Sequence, residues 1–227
     1  MIPKWEKFPS NMKNECVKSY YDIVSSKKAS LVFKRVFDIV FSVILIIFLL
    51  PVMVLISIMI KFDSPGKIFY KQKRITQYGR EFFIIKFRTM RDDINIKSSI
   101  TCENDPRVTK IGKILRKFRL DEFPQLVNVL LGDMSFVGTR PEVEEYVKFY
   151  DDKMLSTLIL PAGITSVCSI EFKDEERYLK NSDNISKTYV DCILPKKMIY
   201  NIQYMENFSF MYDLKIMLMT FIKVFLR

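Results

Sequence analysis

The sequence predicts an α+β monotopic membrane protein that combines a re-entrant helix–break–helix, interfacial amphipathic helices and a small β-hairpin. Three observations support this class: a long apolar run interrupted by proline, an alternating segment with a central glycine, and a basic segment of helical period. We divide the 227 residues into an N-terminal polar and aromatic segment (1–33), a membrane hairpin (34–62) and a cytosolic domain (63–227).

The apolar run extends from Ile39 to Ile60 without a charged residue. As one helix it would rise about 33 Å, roughly the hydrocarbon thickness of a bilayer, so a single span is the simplest interpretation. However, Pro51 lies near its middle, and basic residues flank it on both sides, so the positive-inside rule gives no orientation for a span. A hairpin that enters and leaves one leaflet would place both basic flanks in the cytoplasm. We therefore expect that hairpin, with a kinked single span as the alternative.

Residues 67–90 predict a β-hairpin that turns at residues 77–79. Alternation places Gln72 with Arg74 on one face, and Lys86 with Arg88 on one face. These pairs could form a phosphate-binding wall, although solvated strand faces are the commoner explanation of such charges.

Two further segments predict helices near a membrane surface. Residues 109–120 carry apolar side chains at a helical period, with lysines and arginines on the other faces. Such a basic amphipathic helix is suited to an anionic membrane surface. Residues 209–227 are nearly all apolar, which fits either an internal core helix or a second interfacial helix. Residues 13–29 predict a short amphipathic helix to which we assign no chemistry.

Composition restricts the possible partners and chemistry. Lys and Arg outnumber Asp and Glu by 36 to 26, and the net charge of +10 favours anionic partners such as nucleic acid, acidic lipid or phosphorylated small molecules. The absence of histidine excludes Ser-His-Asp and Cys-His catalysis and every histidine-containing metal site. Acid–base or nucleophilic work must then use carboxylates, Lys, Tyr or Cys. The four cysteines are widely spaced and predict thiols in a reducing compartment.

Asp121 and Glu122 follow the basic stretch KIGKILRKFR after a single leucine. Pro124 fits the first turn of a helix over QLVNVLL, so both acids lie at its N-terminal edge. The helix amides and the neighbouring basic residues, Lys117 and Arg119, should keep both carboxylates ionised. Carboxylates at a helix start are often only caps, and that interpretation remains open on these residues alone.

The chain after this predicted helix favours a functional interpretation of the acids. Glycines and a proline break it into a tight loop that delivers Arg140 and Glu142 nearby. A carboxylate pair with arginines suits a divalent cation and a diphosphate, because the metal would neutralise phosphate charge while a carboxylate attacks phosphorus.

Several segments, from about residue 31 to the C-terminus, carry a resemblance to a known family. They are KRVFDIV, the proline-interrupted apolar run, KFRTM, NDPRVTKIGKILRKFRLDEFPQLVNVLLGDMSFVGTRPE, PAGIT and ENFSFMYDLKIMLMT. The block around LDEFPQLVNVL and GDMSFVGTRPE is long and specific. In these segments the chain resembles the bacterial sugar transferases, small monotopic phosphoglycosyl transferases. One departure is Leu50 before Pro51, where the family often has serine.

The resemblance implies an enzyme at the cytoplasmic face of the bacterial inner membrane. It would move a sugar-1-phosphate from a UDP-sugar to polyprenyl phosphate and release UMP. The implied roles are nucleophile for Asp121, a share in Mg²⁺ binding for Glu122 with Asp121 beside it, and phosphate binding for Arg88 and Arg140. The remaining substrate-binding candidates are Gln72, Arg74, Lys86, Arg107 and Glu142. Anionic lipid is a further expected partner and nucleic acid is not; the alternative function is a non-catalytic basic module that binds a membrane surface or nucleic acid.

Overall fold

Helices and two small sheets make up the computed structural model, which describes residues 2–91, 105–172 and 185–225. In these ranges the α-helices are α1 (Glu15–Ser26), α2 (Lys28–Asp63), α3 (Lys110–Lys117), α4 (Gln125–Leu131), α5 (Glu144–Val147), α6 (Val167–Glu171), α7 (Ile185–Thr188), α8 (Leu194–Asn207) and α9 (Phe210–Phe225). The strands are β1 (Phe69–Ile75), β2 (Glu81–Phe87), β3 (Met134–Val137) and β4 (Ala162–Thr165). This mixture confirms the predicted α+β class.

Helix α2 differs from the predicted helix–break–helix, because its helical backbone continues through Pro51. Proline removes one hydrogen bond from a helix interior, and here the flanking turns remain helical. The helix also begins six residues before the predicted membrane hairpin and ends one residue after it. Among the described residues, α2 is the one helix whose length and composition would allow it to cross a membrane.

Buried polar contacts fasten the N-terminal part of α2 to the rest of the chain. Lys34 Nζ donates to Val137 O at 2.6 Å and to Asp213 Oδ2 at 2.7 Å, and 5% of Lys34 is exposed. One turn later, Asp38 Oδ1 accepts a hydrogen bond from Phe136 N at 3.1 Å. The charge of Lys34 is therefore used within the protein and is not presented to solvent.

The C-terminal part of α2 packs against the same folded body. Ile56 and Ile60 are buried in one cluster with Phe87 of β2. Asp63 Oδ2 accepts a hydrogen bond from Ile111 N at 3.2 Å, in the first turn of α3. Between these two regions of contact, one face of α2 remains apolar and exposed.

Strands β1 and β2 confirm the predicted hairpin. They pair antiparallel, and the connection contains a 3₁₀ turn over Gln77–Gly79, within the predicted turn. Asn128 of α4 fixes this hairpin to the helix: its Oδ1 accepts from Ile85 N at 3.0 Å, and its Nδ2 donates to Phe83 O at 2.9 Å. The hairpin therefore has a defined position relative to the segment that precedes α4.

Strands β3 and β4 form a parallel pair where the sequence analysis predicted only a tight loop after α4. Gly138 allows their close approach, because a Cβ atom at this position would lie 2.3 Å from Pro161 O. Gly132 ends α4 with a φ of +89°, which favours glycine. Four residues give too short a pattern to predict a strand. Strand β3 ends three residues before Arg140, so the parallel pair helps to position that arginine.

The main hydrophobic core includes residues from the predicted N-terminal segment. Asn14 Oδ1 caps α1 by accepting from Val17 N at 2.7 Å, and this confirms the predicted helix near the N-terminus. Met12 and Val17 are fully buried in one cluster with Val129 of α4 and Ile159. Residues before α2 thus stabilise the same body that carries the hairpin.

Two helices expose apolar side chains beside α2. Helix α3 confirms the predicted basic amphipathic helix: Leu115 is buried, while Ile114 and Phe118 are at least half exposed. Helix α9 buries Ile216 and exposes apolar residues along its length, namely Met211, Leu218, Phe221 and Ile222. A helix with one packed and one exposed apolar face favours the interfacial interpretation of the C-terminal segment over the core interpretation.

Candidate active site

Asp121 and Glu122 lie in a 3₁₀ turn, Leu120–Glu122, between α3 and α4. Arg119 precedes this turn with a φ of +54°. A left-handed backbone is uncommon for a residue with a side chain and is often found at functional sites. The turn places both acids next to the hairpin, because Lys86 of β2 contacts Glu122.

The structure does not support a capping role for the two acids. Pro124 occupies the N-cap position of α4 and has no side-chain group that could accept a hydrogen bond. Within the described residues, neither carboxylate accepts a hydrogen bond from an amide in the first turn of α4. Their place in the sequence is therefore better explained by the groups that surround their side chains.

Three basic residues surround Glu122. Lys86 Nζ lies 3.2 Å from Glu122 Oε1, and the guanidinium nitrogens of Arg140 and Arg119 lie 3.8 and 3.9 Å from the same oxygen. The side chain of Glu122 is 12% exposed. In the part of the chain that the structure describes, Oε2 accepts no hydrogen bond. One carboxylate oxygen thus meets cations, and the other remains open to a ligand.

The two acids have opposite electrostatic properties. Burial raises the pKa of Asp121, the negative charge of Glu122 raises it further, and Lys86 opposes both effects. Burial would also raise the pKa of Glu122, but Lys86, Arg140 and Arg119 together outweigh it and hold that pKa below its ordinary value. Basic neighbours therefore lower the pKa of Glu122, as expected, whereas for Asp121 burial and the charge of Glu122 outweigh them and the pKa is raised.

Arg116 is a site residue that the sequence analysis missed. Its Nε donates to Thr89 Oγ1 at 2.9 Å, which holds the half-buried guanidinium between α3 and the end of the hairpin. Burial raises the pKa of Asp121, whereas the positive charge of Arg116 acts in the opposite direction. The sequence pattern predicts Arg116 only as part of the basic surface of the amphipathic helix. The one indication in the sequence is that Arg116 lies only five residues before Asp121.

Gln72 and Arg74 are in contact on one face of β1, as predicted. Gln72 Oε1 accepts from Arg74 Nη2 at 2.9 Å and from Arg74 Nε at 3.3 Å. Arg74 Nη1 also donates to Pro141 O at 3.3 Å, so the guanidinium lies against the chain next to Arg140. The structure thus brings Arg74 and Arg140 to one side of the acidic pair.

Glu142 lies beyond the acidic pair, in a buried cluster of its own. Its Oε1 accepts from Tyr189 Oη at 2.7 Å and from Lys197 Nζ at 2.8 Å. Its Oε2 lies 4.0 Å from Arg74 Nη1. Since 7% of Glu142 is exposed, the geometry gives it protein partners in place of the predicted direct contact with substrate.

Two of the predicted substrate-binding arginines are engaged by neighbouring chain. Arg88 is 4% exposed; its Nη1 donates to Pro65 O and its Nη2 to Ser64 O, both at 2.6 Å. It follows the last residue of β2 and fixes the turn after α2, so the predicted face shared with Lys86 does not bring it to the acids. Arg107 Nη2 forms an ion pair with Asp105 Oδ2 at 2.6 Å.

Asp121 and Glu122 are the residues of this site that could hold a divalent cation. Among the described residues, no group of three or more acidic, histidine or cysteine side chains could hold a metal. Mg²⁺ is commonly bound by one or two carboxylates together with substrate phosphates and water. Asp121 and the open Oε2 of Glu122 offer that smaller set of ligands.

Comparison with known proteins identifies the family. The family model described as bacterial sugar transferase matches residues 29–227, a range that contains every site residue named above. The chain belongs to the bacterial sugar transferase family. The resemblance found in the sequence is thereby confirmed, and the protein is an enzyme of the sugar transferase class.

Individual relatives support the same family. The exopolysaccharide production protein ExoY of Rhizobium meliloti (strain 1021) is 32% identical over 203 residues, which are 82% of this chain and 83% of the relative. A UDP-glucose:undecaprenyl-phosphate glucose-1-phosphate transferase of Escherichia coli (strain K12) is 33% identical over 199 residues, and one of Klebsiella pneumoniae is 34% identical over 206 residues. These alignments cover 86% and 87% of this chain, but 40% and 41% of those two relatives.

Proposed function

We propose that this sugar transferase moves a sugar-1-phosphate from a UDP-sugar to polyprenyl phosphate and releases UMP, as a membrane step of glycan assembly. The observation that carries the proposal is the buried Asp121–Glu122 pair surrounded by Lys86, Arg116 and Arg140. Cations around a carboxylate pair suit a substrate that brings several phosphate charges. The names of the Escherichia coli and Klebsiella relatives, which specify UDP-glucose and undecaprenyl phosphate, support the same reaction class.

The proposed first step uses Asp121 as nucleophile. A carboxylate oxygen of Asp121 attacks the β-phosphorus of the donor, and the bond from that phosphorus to the bridging oxygen breaks. The electron pair leaves with UMP, and the sugar phosphate remains on the enzyme as an acyl phosphate. Asp121 suits this role, because a partly desolvated carboxylate is a stronger nucleophile than a fully hydrated one.

The proposed second step restores the carboxylate. A phosphate oxygen of the polyprenyl phosphate attacks the same phosphorus, and the bond to Asp121 breaks. The product is a polyprenyl diphosphate sugar, and Asp121 is again ionised. Two displacements in sequence allow a water-soluble donor and a membrane-bound acceptor to use one site in turn.

The surrounding side chains have separate tasks in this proposal. Arg140 and Arg74 bind phosphate oxygens of the donor, and Arg116 and Lys86 stabilise charge that develops around Asp121. Asp121 and Glu122 would hold Mg²⁺, which, when bound, supplies positive charge to phosphate oxygens. Lys86 and Arg140 limit the repulsion between Glu122 and an incoming phosphate.

We propose that α2, although helical through Pro51, bends at this proline and returns to the cytoplasmic leaflet of the bacterial inner membrane. Contacts at both ends of the helix support this re-entrant course. Lys34 near one end and Asp63 at the other both bond to the same folded body. A span across about 30 Å of hydrocarbon would place its two ends on opposite sides, where one body could not reach both. The exposed apolar side chains of α3 and α9, with the lysines of α3, then lie at the anionic lipid surface.

UMP release tests the proposed function. The full chain, in detergent with polyprenyl phosphate and Mg²⁺, is screened against a panel of UDP-sugars, with Asp121→Asn as the matched inactive control. We expect UMP from at least one donor, and none from the control. A wild-type protein that binds UDP-sugars but releases no UMP from any of them would contradict the proposal.

A further inference from the structure

A buried cluster of Glu142, Tyr189 and Lys197 lies beside the phosphate-binding arginines, and the reaction steps above do not use it. Lys197 Nζ donates to Glu142 Oε1 at 2.8 Å and to Tyr189 Oη at 2.6 Å, and Tyr189 Oη donates to the same carboxylate oxygen at 2.7 Å. The side chains of Lys197 and Glu142 are 5% and 7% exposed. Removal of two charges from water is costly unless they are paired and hydrogen-bonded. The presence of this buried cluster beside the site therefore suggests that it has a role there.

A π-helical turn brings Tyr189 and Lys197 to the same carboxylate. Tyr189–Ile193 is π-helical, and Leu194 N bonds to Tyr189 O, five residues back. In a regular α-helix, residues eight apart differ by about 80° around the axis, whereas those seven apart nearly coincide. A π-turn adds about one residue to the turn, so an eight-residue spacing takes the facing of a seven-residue one. Such turns are frequently found at functional sites.

The cluster is linked to Arg74 through Glu142 and its neighbour. Glu142 O accepts from Ile75 N at 2.9 Å, Pro141 O accepts from Arg74 Nη1 at 3.3 Å, and Glu142 Oε2 lies 4.0 Å from the same nitrogen. Pro141 and Glu142 are the two residues that follow Arg140 in the chain. The cluster therefore fixes the short segment that carries Arg140 and the guanidinium of Arg74 together.

The charges of this region favour an anion next to Arg74. Glu142 Oε1 lies 2.8 Å from Lys197 Nζ and Glu142 Oε2 lies 4.0 Å from Arg74 Nη1, and Arg74 is the more exposed of these two cations. Burial lowers the pKa of Arg74, Glu142 opposes this, and the positive charge of Arg140 lowers it again. Arg74 has five N–H donors, and the described residues accept from three of them. A phosphate bound here would reduce the repulsion between Arg74 and Arg140, and it would accept hydrogen bonds from the other N–H groups of Arg74.

We propose that Glu142, Tyr189 and Lys197 are positioning residues that hold Arg74 beside Arg140, so that the two arginines bind one phosphate group of a nucleoside diphosphate donor. This inference rests on the proposed function for the identity of the donor. It assigns Glu142 to a protein partner, and neither to the metal nor to direct contact with substrate.

Donor binding and turnover together test the inference. Tyr189→Phe removes one hydroxyl and preserves the buried ion pair, so it should fold. We expect the KM for the UDP-sugar and the Kd for UDP to rise about tenfold, the usual scale for a lost hydrogen bond to a charged group, with kcat within about threefold of wild type. Lys197→Met should have a larger effect of the same kind, Lys197→Arg should restore part of it, and the exposed Lys148→Met serves as the matched control. The concentration of Mg²⁺ that gives half-maximal rate should not change in Tyr189→Phe.

Several outcomes separate the cluster from the proposed function. If Tyr189→Phe lowers kcat and leaves KM and UDP affinity unchanged, or raises the Mg²⁺ concentration that gives half-maximal rate, the positioning role is wrong and the proposed function stands. If wild type releases no UMP, the proposed function fails, while the cluster still predicts weaker UDP binding by calorimetry in the two variants. Wild type that does not bind UDP would contradict both.

Discussion

Asp121 and Glu122 are adjacent in the chain, yet the protein shifts their pKa values in opposite directions. Burial raises the pKa of Asp121, and the three basic neighbours of Glu122 outweigh burial and lower its pKa. Pairs of acids with separated pKa values commonly have separate roles in catalysis. Here the separation fits a nucleophile next to a permanently charged ligand.

The pH dependence of UMP release should follow Asp121. Its folded-state pKa is raised, so protonation begins above the ordinary aspartate range near pH 4, while Glu122 remains ionised. We expect activity to fall on the acid side as pH decreases through the raised pKa. The same shift makes ionised Asp121 destabilising at neutral pH, and this cost is relieved as pH falls through that pKa. Asp121→Asn should therefore unfold at a temperature no lower than wild type at pH 7, measured by thermal scans; a clear loss of stability would contradict this.

Arg116 should need the guanidinium geometry as well as its charge. Arg116→Lys retains a positive charge but cannot bond to Thr89 and face Asp121 at once in the same way. We expect kcat/KM for the UDP-sugar to fall at least about tenfold with little loss of stability. Arg119→Lys, at a more exposed side chain in the same segment, is the comparison and should lose less. Equal losses in the two variants would leave Arg116 as one of many surface charges.

Lys34 should matter through its buried ion pair and not through the charge it adds to the membrane flank. Lys34→Met leaves Asp213 buried without its cation, which we expect to cost about 3–5 kcal/mol in the free energy of unfolding. Lys28→Met removes the same charge from an exposed position at the start of α2 and should cost within about 0.5 kcal/mol. Denaturant melts of both variants measure these free energies of unfolding. If Lys34 only adds positive charge to the membrane flank, the two variants should lose similar amounts.

The course of α2 can be tested by accessibility. In a chain whose own cysteines are replaced by serine, Ser26→Cys and Lys67→Cys place single thiols at exposed sites before and after the helix. We expect a membrane-impermeant maleimide to label both from the cytoplasmic side only, and not to label Phe48→Cys in the middle. Labelling of the two flanks from opposite sides would restore the single span.

Local patterns were sufficient to predict the hairpin, the basic helix α3, the acidic pair before α4 and the shared face of Gln72 and Arg74. Each depends on residues close together in sequence, whose periodicity or turn residues determine the local backbone. The departures involve contacts between distant segments. Arg88 has the composition of a phosphate ligand, but its position one residue beyond β2 turns it to the carbonyls of Ser64 and Pro65.

Other features could not be predicted because their partners are far apart in the chain. Glu142 meets Tyr189 and Lys197 across about 50 residues, and the π-turn that aligns them has no sequence signal we could use. Strand β3 is only four residues long, and its parallel partner β4 follows much later. Lys34 is one of the basic residues that flank the apolar run, and nothing in the local sequence indicates its buried partner, Asp213.

The formation of a phosphosugar on Asp121 is the most direct test of the account. The full chain is incubated with Mg²⁺ and a UDP-sugar that carries label in the sugar, without polyprenyl phosphate, and the protein is examined by intact mass and by peptide mapping. We predict a labelled acyl phosphate on Asp121 that polyprenyl phosphate discharges, no label in Asp121→Asn, and in Glu122→Gln label that requires more Mg²⁺. A folded Asp121→Asn protein that still transfers the sugar phosphate would contradict the account.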